Sequence, residues 1–131
     1  MALTMNDKAR NTALDALADL WDGAAGKLEI RTGAAPGATN AATGTIFATI
    51  TLPAPAFGAS AAGVVAKTGT WEDTSADNPG TALHYRIETN DGLTILEGSV
   101  GVGSGDLQVD NDVFAAGQAF TITSFTWTLG A

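Results

Sequence analysis

Side chains that could do chemistry are few in this chain, and each has a simple structural explanation. The one histidine, His84, stands between Leu83 and Tyr85 in an alternating segment. That setting is typical of a strand residue rather than of a general base. A serine nucleophile needs an activating base on a sharp turn, and no GxSxG elbow occurs. The absence of cysteine excludes thiol catalysis, disulfide bonds and thiolate metal sites.

Acidic side chains are grouped in ways that could serve a paired reaction or hold a cation. Glu72 with Asp73, and Asp110 with Asp112, could hydrolyse a glycoside if each pair spanned a cleft. Asp106 extends the second pair within GSGDLQVDND, but this segment lacks the glycine and distal glutamate of an EF-hand. Acids that cap turns are the simpler interpretation. We predict no catalytic residue, metal or cofactor, and hence a protein that is not an enzyme.

The charge distribution does not favour phosphate or nucleic acid. Residues 101–105 (GVGSG) lack the GKS or GKT ending of a phosphate loop, and we interpret them as a hairpin turn. The 14 acidic and 6 basic residues give a net charge of −8, and the bases form no stripe. No run approaches the roughly 18 apolar residues of a membrane span. The first ten residues contain no apolar signal-peptide core. We expect partners other than nucleic acid or membrane.

One helix is predicted at the front of the chain, over residues 6–21, where apolar side chains recur at helical spacing. Thr4 or Asn6 could cap its start, and Gly23 or Gly26 its end. Two interpretations of the apolar stripe stay open. The helix either packs on the chain's own sheet or packs on a neighbouring subunit. The candidate contact residues are Leu14, Leu17 and Trp21.

From residue 27 onward the pattern is that of short strands and turns. Asn-Asp-Gly at 90–92 is typical of a hairpin turn. No βαβ alternation occurs, so we predict an antiparallel β-sandwich of jelly-roll or immunoglobulin-like type. The domain prediction is one unit, 1–131, with the N-terminal helix in 1–22 and the sandwich in 27–131. The predicted strands are 27–32, 45–52, 63–71, 81–89, 93–100, 107–109 and 119–131.

Two predicted strands, 27–32 and 81–89, each have an apolar face and a polar face. In residues 81–89, Leu83, Tyr85 and Ile87 alternate with charged or imidazole side chains, so we expect the apolar set to face the core. We expect residues 33–43 to form a small-residue loop with too little bulk to hold a core, and the polar segment 72–80 to be an exposed loop. The side chains expected to face outward are Lys27, Glu29, Arg31, His84, Arg86 and Glu88.

The last predicted strand changes face partway along. Phe120 and Ile122 share one face, whereas Phe125 and Trp127 share the other. A β-bulge near Ser124 would return both sets to one core. The alternative is a strand that passes between two sheets.

A further candidate binding residue is Trp71, which precedes the polar segment 72–80. It could stack on a sugar, as tryptophans do in carbohydrate-binding modules. More often a tryptophan in this position closes one end of a sandwich core.

Blocks of sequence follow one another from the helix to the alternating tail: LADLWDGAAGKLEIRTGAAPG, GTIFATITLPAPAFG, WEDTSADNPGTALHYRIETNDG and GSGDLQVDND. Their order resembles a family of small virion proteins of tailed bacteriophages, over nearly the full length. The resemblance implies a capsid decoration or cement protein, made in the host cytoplasm and located in the virion. Its partners would be the major capsid protein or copies of itself in a symmetric assembly. A tail or head-fibre component and a carbohydrate-binding module are the alternatives.

Overall fold

The computed structural model describes residues 3–21, 26–93 and 95–129, apart from the Phe114 side chain. Within them, one α-helix, α1 (Asp7–Ala18), continues into a 3-10 turn at Asp19–Trp21. The prediction of a mainly β chain with an N-terminal helix is confirmed. The strands are β1 (Lys27–Arg31), β2 (Ile46–Thr51), β3 (Val64–Ala66), β4 (Glu72–Asp73), β5 (Gly80–Thr81), β6 (His84–Glu88), β7 (Ile95–Gly101), β8 (Leu107–Val109), β9 (Val113–Phe114) and β10 (Phe120–Thr128).

The main sheet is curled and mixed. Its strand order is β2-β1-β6-β7-β8-β10-β3, with β4 also paired to β10, while β5 and β9 form a separate ribbon. All pairs on this path are antiparallel except β7 and β8. The sheet forms a half-barrel, and the predicted two-sheet sandwich is not confirmed. The expectation of a wholly antiparallel arrangement was wrong.

The prediction of a hairpin turn at residues 101–105 was wrong, because the strands on either side of residues 102–106 pair parallel. Gly103 and Gly105 adopt φ of 68° and 85°, a left-handed conformation that glycine reaches without strain. The chain reverses twice within this loop, so that β8 starts beside the end of β7. Only Val100 with Leu107, and Gly101 with Gln108, pair across the junction. Such a short connection suffices because the parallel contact is only two residues long.

The hairpin predicted at residues 90–92 is confirmed, because β6 and β7 pair antiparallel on either side of it. Gly92 has φ 73°, and its N–H donates to the Thr89 carbonyl at 2.8 Å. The Thr89 hydroxyl and the Leu93 N–H both donate to the Asp91 carboxylate. These hydrogen bonds lower the pKa of Asp91. The turn is therefore held by its own polar side chains.

The bulge predicted in the last strand is also confirmed. The pairing of β10 with β8 shifts register between Ile122 and Ser124. On either side of the shift, Phe120, Ile122 and Phe125 are each only 1% exposed. One extra residue thus turns both sets of side chains toward the same core.

The core is centred on aromatic rings in edge-to-face and tilted contacts, which we call the aromatic cluster. Phe57 lies at its middle, with ring centroids 4.2 Å from Trp127 and 5.4 Å from Trp71. Such pairs stabilise beyond their buried area because the edge of one ring meets the face of another. The members of the aromatic cluster are Trp21, Phe57, Trp71, Tyr85, Phe125 and Trp127.

The helix packs on its own chain, against β3. Asn6 is its N-cap, as one of the two predicted options, and its side chain accepts from the Ala9 N–H at 3.0 Å. At the other end the cap is Asp19 rather than Gly26, while Gly23 lies outside the described residues. Asn11 Oδ1 accepts from the Gly63 N–H at 2.9 Å, which ties the helix to the start of β3. None of the described helices is long and apolar enough to cross a membrane.

Candidate functional site

Charged and imidazole side chains on the outer face of β1, β6 and β7 are buried, contrary to expectation. We call this group the polar layer. Cross-strand register places Glu29 opposite Arg86, and Arg31 opposite His84. Glu29 is 6% exposed, His84 1% and Arg86 4%. The prediction of solvent-facing side chains was therefore wrong for these three residues. The polar layer consists of Glu29, Arg31, His84, Arg86 and Glu97.

The segment 33–43 covers the polar layer. Arg86 Nη2 donates to the carbonyls of Gly37 and Asn40 at 3.2 Å and 2.9 Å. In return, the Gly37 N–H donates to Glu97 Oε1 at 2.6 Å. Gly37 has φ 98°, which lets the backbone approach these groups closely. The outer side of the segment is exposed, and its backbone supplies the partners of the buried charges.

Ion pairs balance the charge beneath this cover. Arg86 pairs with Glu97 at 2.7 Å, and Arg31 Nη2 pairs with Glu29 at 3.0 Å. At the end of the polar layer, Lys27 Nζ lies 3.2 Å from Glu88. The hydrogen bond to Glu88, and then the charge of Glu29, raise the pKa of Lys27. Because each charge has a partner, the burial cost of these groups is offset.

His84 is held by one hydrogen bond, from Nδ1 to the Gly33 carbonyl at 2.8 Å. A carbonyl oxygen can only accept, so Nδ1 carries a proton and donates it. Nε2 is buried and has no partner within the described part of the chain. An imidazole enclosed in this way has no open side for a substrate. Its hydrogen bond to the Gly33 carbonyl holds residues 33–43, which we call the cover segment, in place.

The grouped acids bind backbone and hydroxyl groups nearby. Asp106 Oδ2 accepts from the Ser99 N–H and hydroxyl at 3.1 Å and 3.2 Å. Asp110 Oδ1 accepts from the Thr121 N–H, also at 3.1 Å. Asp73 accepts from Ser75 N–H at 2.8 Å. Among residues 3–21, 26–93 and 95–129, no group of three or more histidine or acidic side chains could hold a metal.

The predicted partner-contact residues lie at or near the core of this chain. Trp21 and Trp71 are fully buried, and Leu14 is 5% exposed. Leu17 is partly buried and packs against the same core. The Trp21 Nε1 donates to the Glu88 carbonyl at 3.2 Å, and the Trp71 Nε1 donates to the Thr68 carbonyl at 3.1 Å. Of the two interpretations of the helix stripe, packing on the chain's own sheet is the arrangement observed.

Sequence reasoning missed an opening between β7 and β10. The position between these two strands is filled by β8 only from Leu107 onward, because the chain turns away at residues 102–106. Before Leu107 the position is a cavity of 300 Å³. We call it the open lane. The sequence signal was the glycine-rich turn directly before a very short strand. The open lane is lined by Tyr85, Leu96, Glu97, Asp106, Thr126, Trp127 and Thr128.

No protein-family model, curated protein or solved structure matches this chain. Its function is therefore inferred from the contacts above and from the resemblance of its sequence blocks.

Proposed function

We propose that this protein is a non-enzymatic structural component of a bacteriophage virion, and specifically a capsid decoration or cement protein. The proposal rests on what the side chains of the polar layer bind. His84, Arg86 and Glu97, which could serve as catalytic groups, are buried and bind the backbone of the cover segment. These residues stabilise a surface. A surface of fixed shape is what a protein needs when it works by contact area.

Exposed apolar side chains at one end of the sheet supply a candidate contact surface, which we call the apolar end. Leu83 precedes β6 and is 52% exposed, and Val102 follows β7 and is 53% exposed. The two lie at the same end because the Val100 N–H donates to the Leu83 carbonyl. Val113 in β9 is 56% exposed, and its strand pairs with Thr81. A symmetric capsid repeats such a contact many times, so each copy can be weak.

The partners we propose are the major capsid protein and neighbouring copies of this chain in the assembled particle. The protein would be made in the host cytoplasm and then become part of the virion. A tail or head-fibre location is the nearest alternative. A carbohydrate-binding module is the other, but the ring of Trp71, its candidate stacking residue, is covered in this structure.

We also propose a finer description of the fold, as a variant of the predicted sandwich of jelly-roll or immunoglobulin-like type. In this description, β2-β1-β6-β7 forms one layer and β8-β10-β3 the other. The support is the junction between β7 and β8, where two residue pairs join the halves. An experimental structure in which the two halves pack face to face would bear this out.

Co-sedimentation with particles tests the proposed function. Virions of the phage or prophage that encodes the chain are purified, and the stoichiometry of the protein is measured by quantitative mass spectrometry. We expect a fixed ratio to the major capsid protein, and empty heads that lack the protein should rebind it. A fixed ratio to tail proteins alone would favour the tail alternative, and absence from purified particles would contradict the proposal.

A matched pair of variants tests the apolar end. Leu83→Glu places a charge at the apolar end, whereas Leu93→Glu places one beside the hairpin turn at the opposite end of β6. Leu93 is 84% exposed, so both changes should leave the fold intact. We expect Leu83→Glu to weaken binding to heads at least tenfold and Leu93→Glu to leave it unchanged. Equal effects would contradict the assignment of the apolar end.

A further inference from the structure

The open lane exposes main-chain groups from both strands that border it. The Val100 N–H donates to the Leu83 carbonyl on the β6 side, so the N–H and C=O groups of Ile95 and Glu97 face the open lane by alternation. On the opposite side, Lys67 N–H donates to the Phe125 carbonyl, on the β3 side. Alternation along β10 then turns the main-chain groups of Thr126 and Thr128 toward the open lane. Two strand edges therefore face one another across a single vacant position.

Asp106 lies at the end of the open lane, next to β8. Its carboxylate accepts a hydrogen bond from the Ser99 N–H at 3.1 Å. In a continuous ladder, a carbonyl of a neighbouring strand would accept this hydrogen bond. A side chain thus completes the ladder at the last position before the opening. Beyond it, pairing on this side of β7 does not continue within the described residues. Unpaired edges of this kind are templates for another strand.

The inner side of the open lane is apolar, and its floor is shallow. Leu96 and Trp127 are partly buried and pack against the core from either side. Trp127 Nε1 is buried and has no hydrogen-bond partner within the described chain. Gly98 adds no side chain to this wall, and the Asp106 carboxylate and the Tyr85 ring occupy the space beside it: a Cβ there would lie 2.6 Å from Asp106 Oδ2 and 2.8 Å from the Tyr85 hydroxyl. An entering strand with small apolar residues on alternate positions fits this shape.

The electrostatics of the open lane select a basic occupant. The Asp106 carboxylate is exposed at its end, and the whole chain carries a net charge of −8. Burial, followed by the charges of Asp106 and Glu97, raises the pKa of Tyr85, as expected of a negative environment. A second copy of the chain is a poor source of the cation, because most of its bases already bind carboxylates or carbonyls of their own chain. These bases are Arg10, Lys27, Arg31, Lys67 and Arg86.

We propose that the open lane binds a short extended segment of a different protein, which enters as a strand between β7 and β10 and places a lysine or arginine beside Asp106. The main-chain groups of Glu97, Thr126 and Thr128 supply the hydrogen bonds, and the inner wall receives the alternate apolar side chains. The inference goes beyond the proposed function, since it holds whether or not the chain is part of a virion.

Peptide titration followed by amide NMR tests the proposal on the whole protein. The probe is the capped heptapeptide KTVTVTK, with two matched controls. ETVTVTE reverses the charge, and KTVPVTK loses a central N–H. We expect KTVTVTK to shift the amide signals of Glu97, Thr126 and Thr128. We expect the acidic peptide to bind about fivefold more weakly or worse, and the proline peptide to bind at least about tenfold more weakly.

Two proline variants locate the site. Thr128→Pro removes a donor that faces the open lane, whereas Thr49→Pro changes the outer edge of β2, at the opposite end of the strand order from β10 and β3. We expect Thr128→Pro to weaken KTVTVTK binding about tenfold and Thr49→Pro to leave it unchanged. If Thr128→Pro does not fold, the ranking of the three peptides on the unchanged protein decides the matter.

Several results would overturn the proposal. These are failure of KTVTVTK to bind, equal binding of the acidic peptide, and signal changes confined to β2. Concentration-dependent shifts of the same amides without peptide would mean that a second copy fills the open lane. Failure of the protein to sediment with virions would remove the virion proposal and leave the peptide result unaffected.

Discussion

The aromatic cluster and the polar layer lie on opposite faces of the same strand, β6, and they are buried for different reasons. Tyr85 faces inward and meets Phe125 edge to face at 5.2 Å. His84 and Arg86 face outward and are covered by the backbone of residues 33–43. The aromatic cluster is stabilised by area and shape, which many apolar neighbours could supply. The charged groups of the polar layer depend on particular partners of opposite charge, so loss of one member of an ion pair leaves a buried charge.

The largest effect is expected in the aromatic cluster. Phe57→Ala removes the ring that contacts Trp21, Trp71, Phe125 and Trp127, and we expect a loss of about 3–5 kcal/mol in the free energy of unfolding. Urea denaturation measures it. The control is Leu83→Ala, at an exposed site, with an expected change within about 0.5 kcal/mol. A loss below about 1 kcal/mol for Phe57→Ala would show that neighbouring side chains fill the cavity.

The next effect distinguishes the polar layer from the aromatic cluster. Glu97→Leu leaves the buried guanidinium of Arg86 without its carboxylate, and we expect a loss of about 3 kcal/mol. Replacing both residues by leucine removes the charge and its partner together. The double variant should therefore be more stable than Glu97→Leu alone, which no pair within the aromatic cluster would show. Additive losses in a double-mutant cycle would contradict this account of the polar layer.

Alkaline pH should destabilise the folded chain through a group of the aromatic cluster and a group at the end of the polar layer. Because burial, with Asp106 and Glu97, raises the pKa of Tyr85, the unfolded chain releases this proton at lower pH than the folded chain. The stabilisation is complete below the unfolded pKa of about 10 and is lost as the pH rises above it. Lys27, whose pKa is also raised, acts in the same direction.

Tyr85→Phe checks this assignment. The variant should show a shallower decline of the unfolding free energy above about pH 10 than the unchanged chain. Stability is measured by urea denaturation at a series of pH values. An identical decline in both proteins would exclude Tyr85 as its source.

The smallest effect concerns the helix that brings Trp21 to the aromatic cluster. Asn6→Ala removes the side chain that accepts from the Ala9 N–H, at an expected cost of about 1 kcal/mol. Thr4→Ala is the matched control, because Thr4 was the other candidate cap and should change nothing measurable. Thermal unfolding compares the two. A larger loss for Thr4→Ala would mean that the cap has been misassigned.

Features set by neighbouring residues were predictable from the sequence. The helix follows from apolar spacing and the Asn6 cap, and the hairpin at 90–92 follows from turn chemistry. The bulge near Ser124 could be predicted because the side-chain period of a strand is two, so a change of parity has few structural solutions. Each of these depends on residues within one or two elements.

The polar layer and the open lane could not be predicted, because both depend on contacts between distant segments. Arg86 and Glu97 alternate with apolar residues in the way exposed charges do. Nothing in residues 33–43 indicates that their carbonyls would cover them. The open lane depends on where β8 begins relative to β7 and β10. The alternation of apolar and polar side chains along a strand does not by itself determine this register. The parallel pairing of β7 with β8 was missed for the same reason.

The two-residue contact between β7 and β8 has a consequence for how the molecule opens. On one side of this contact, β2, β1, β6 and β7 are joined by long antiparallel ladders, and on the other β10 pairs with β8 and β3. Local opening events follow the weakest connections between cooperative units. Amide hydrogen exchange should therefore divide this continuous sheet into two protected blocks with separate opening free energies, and their boundary should fall between Gly101 and Leu107.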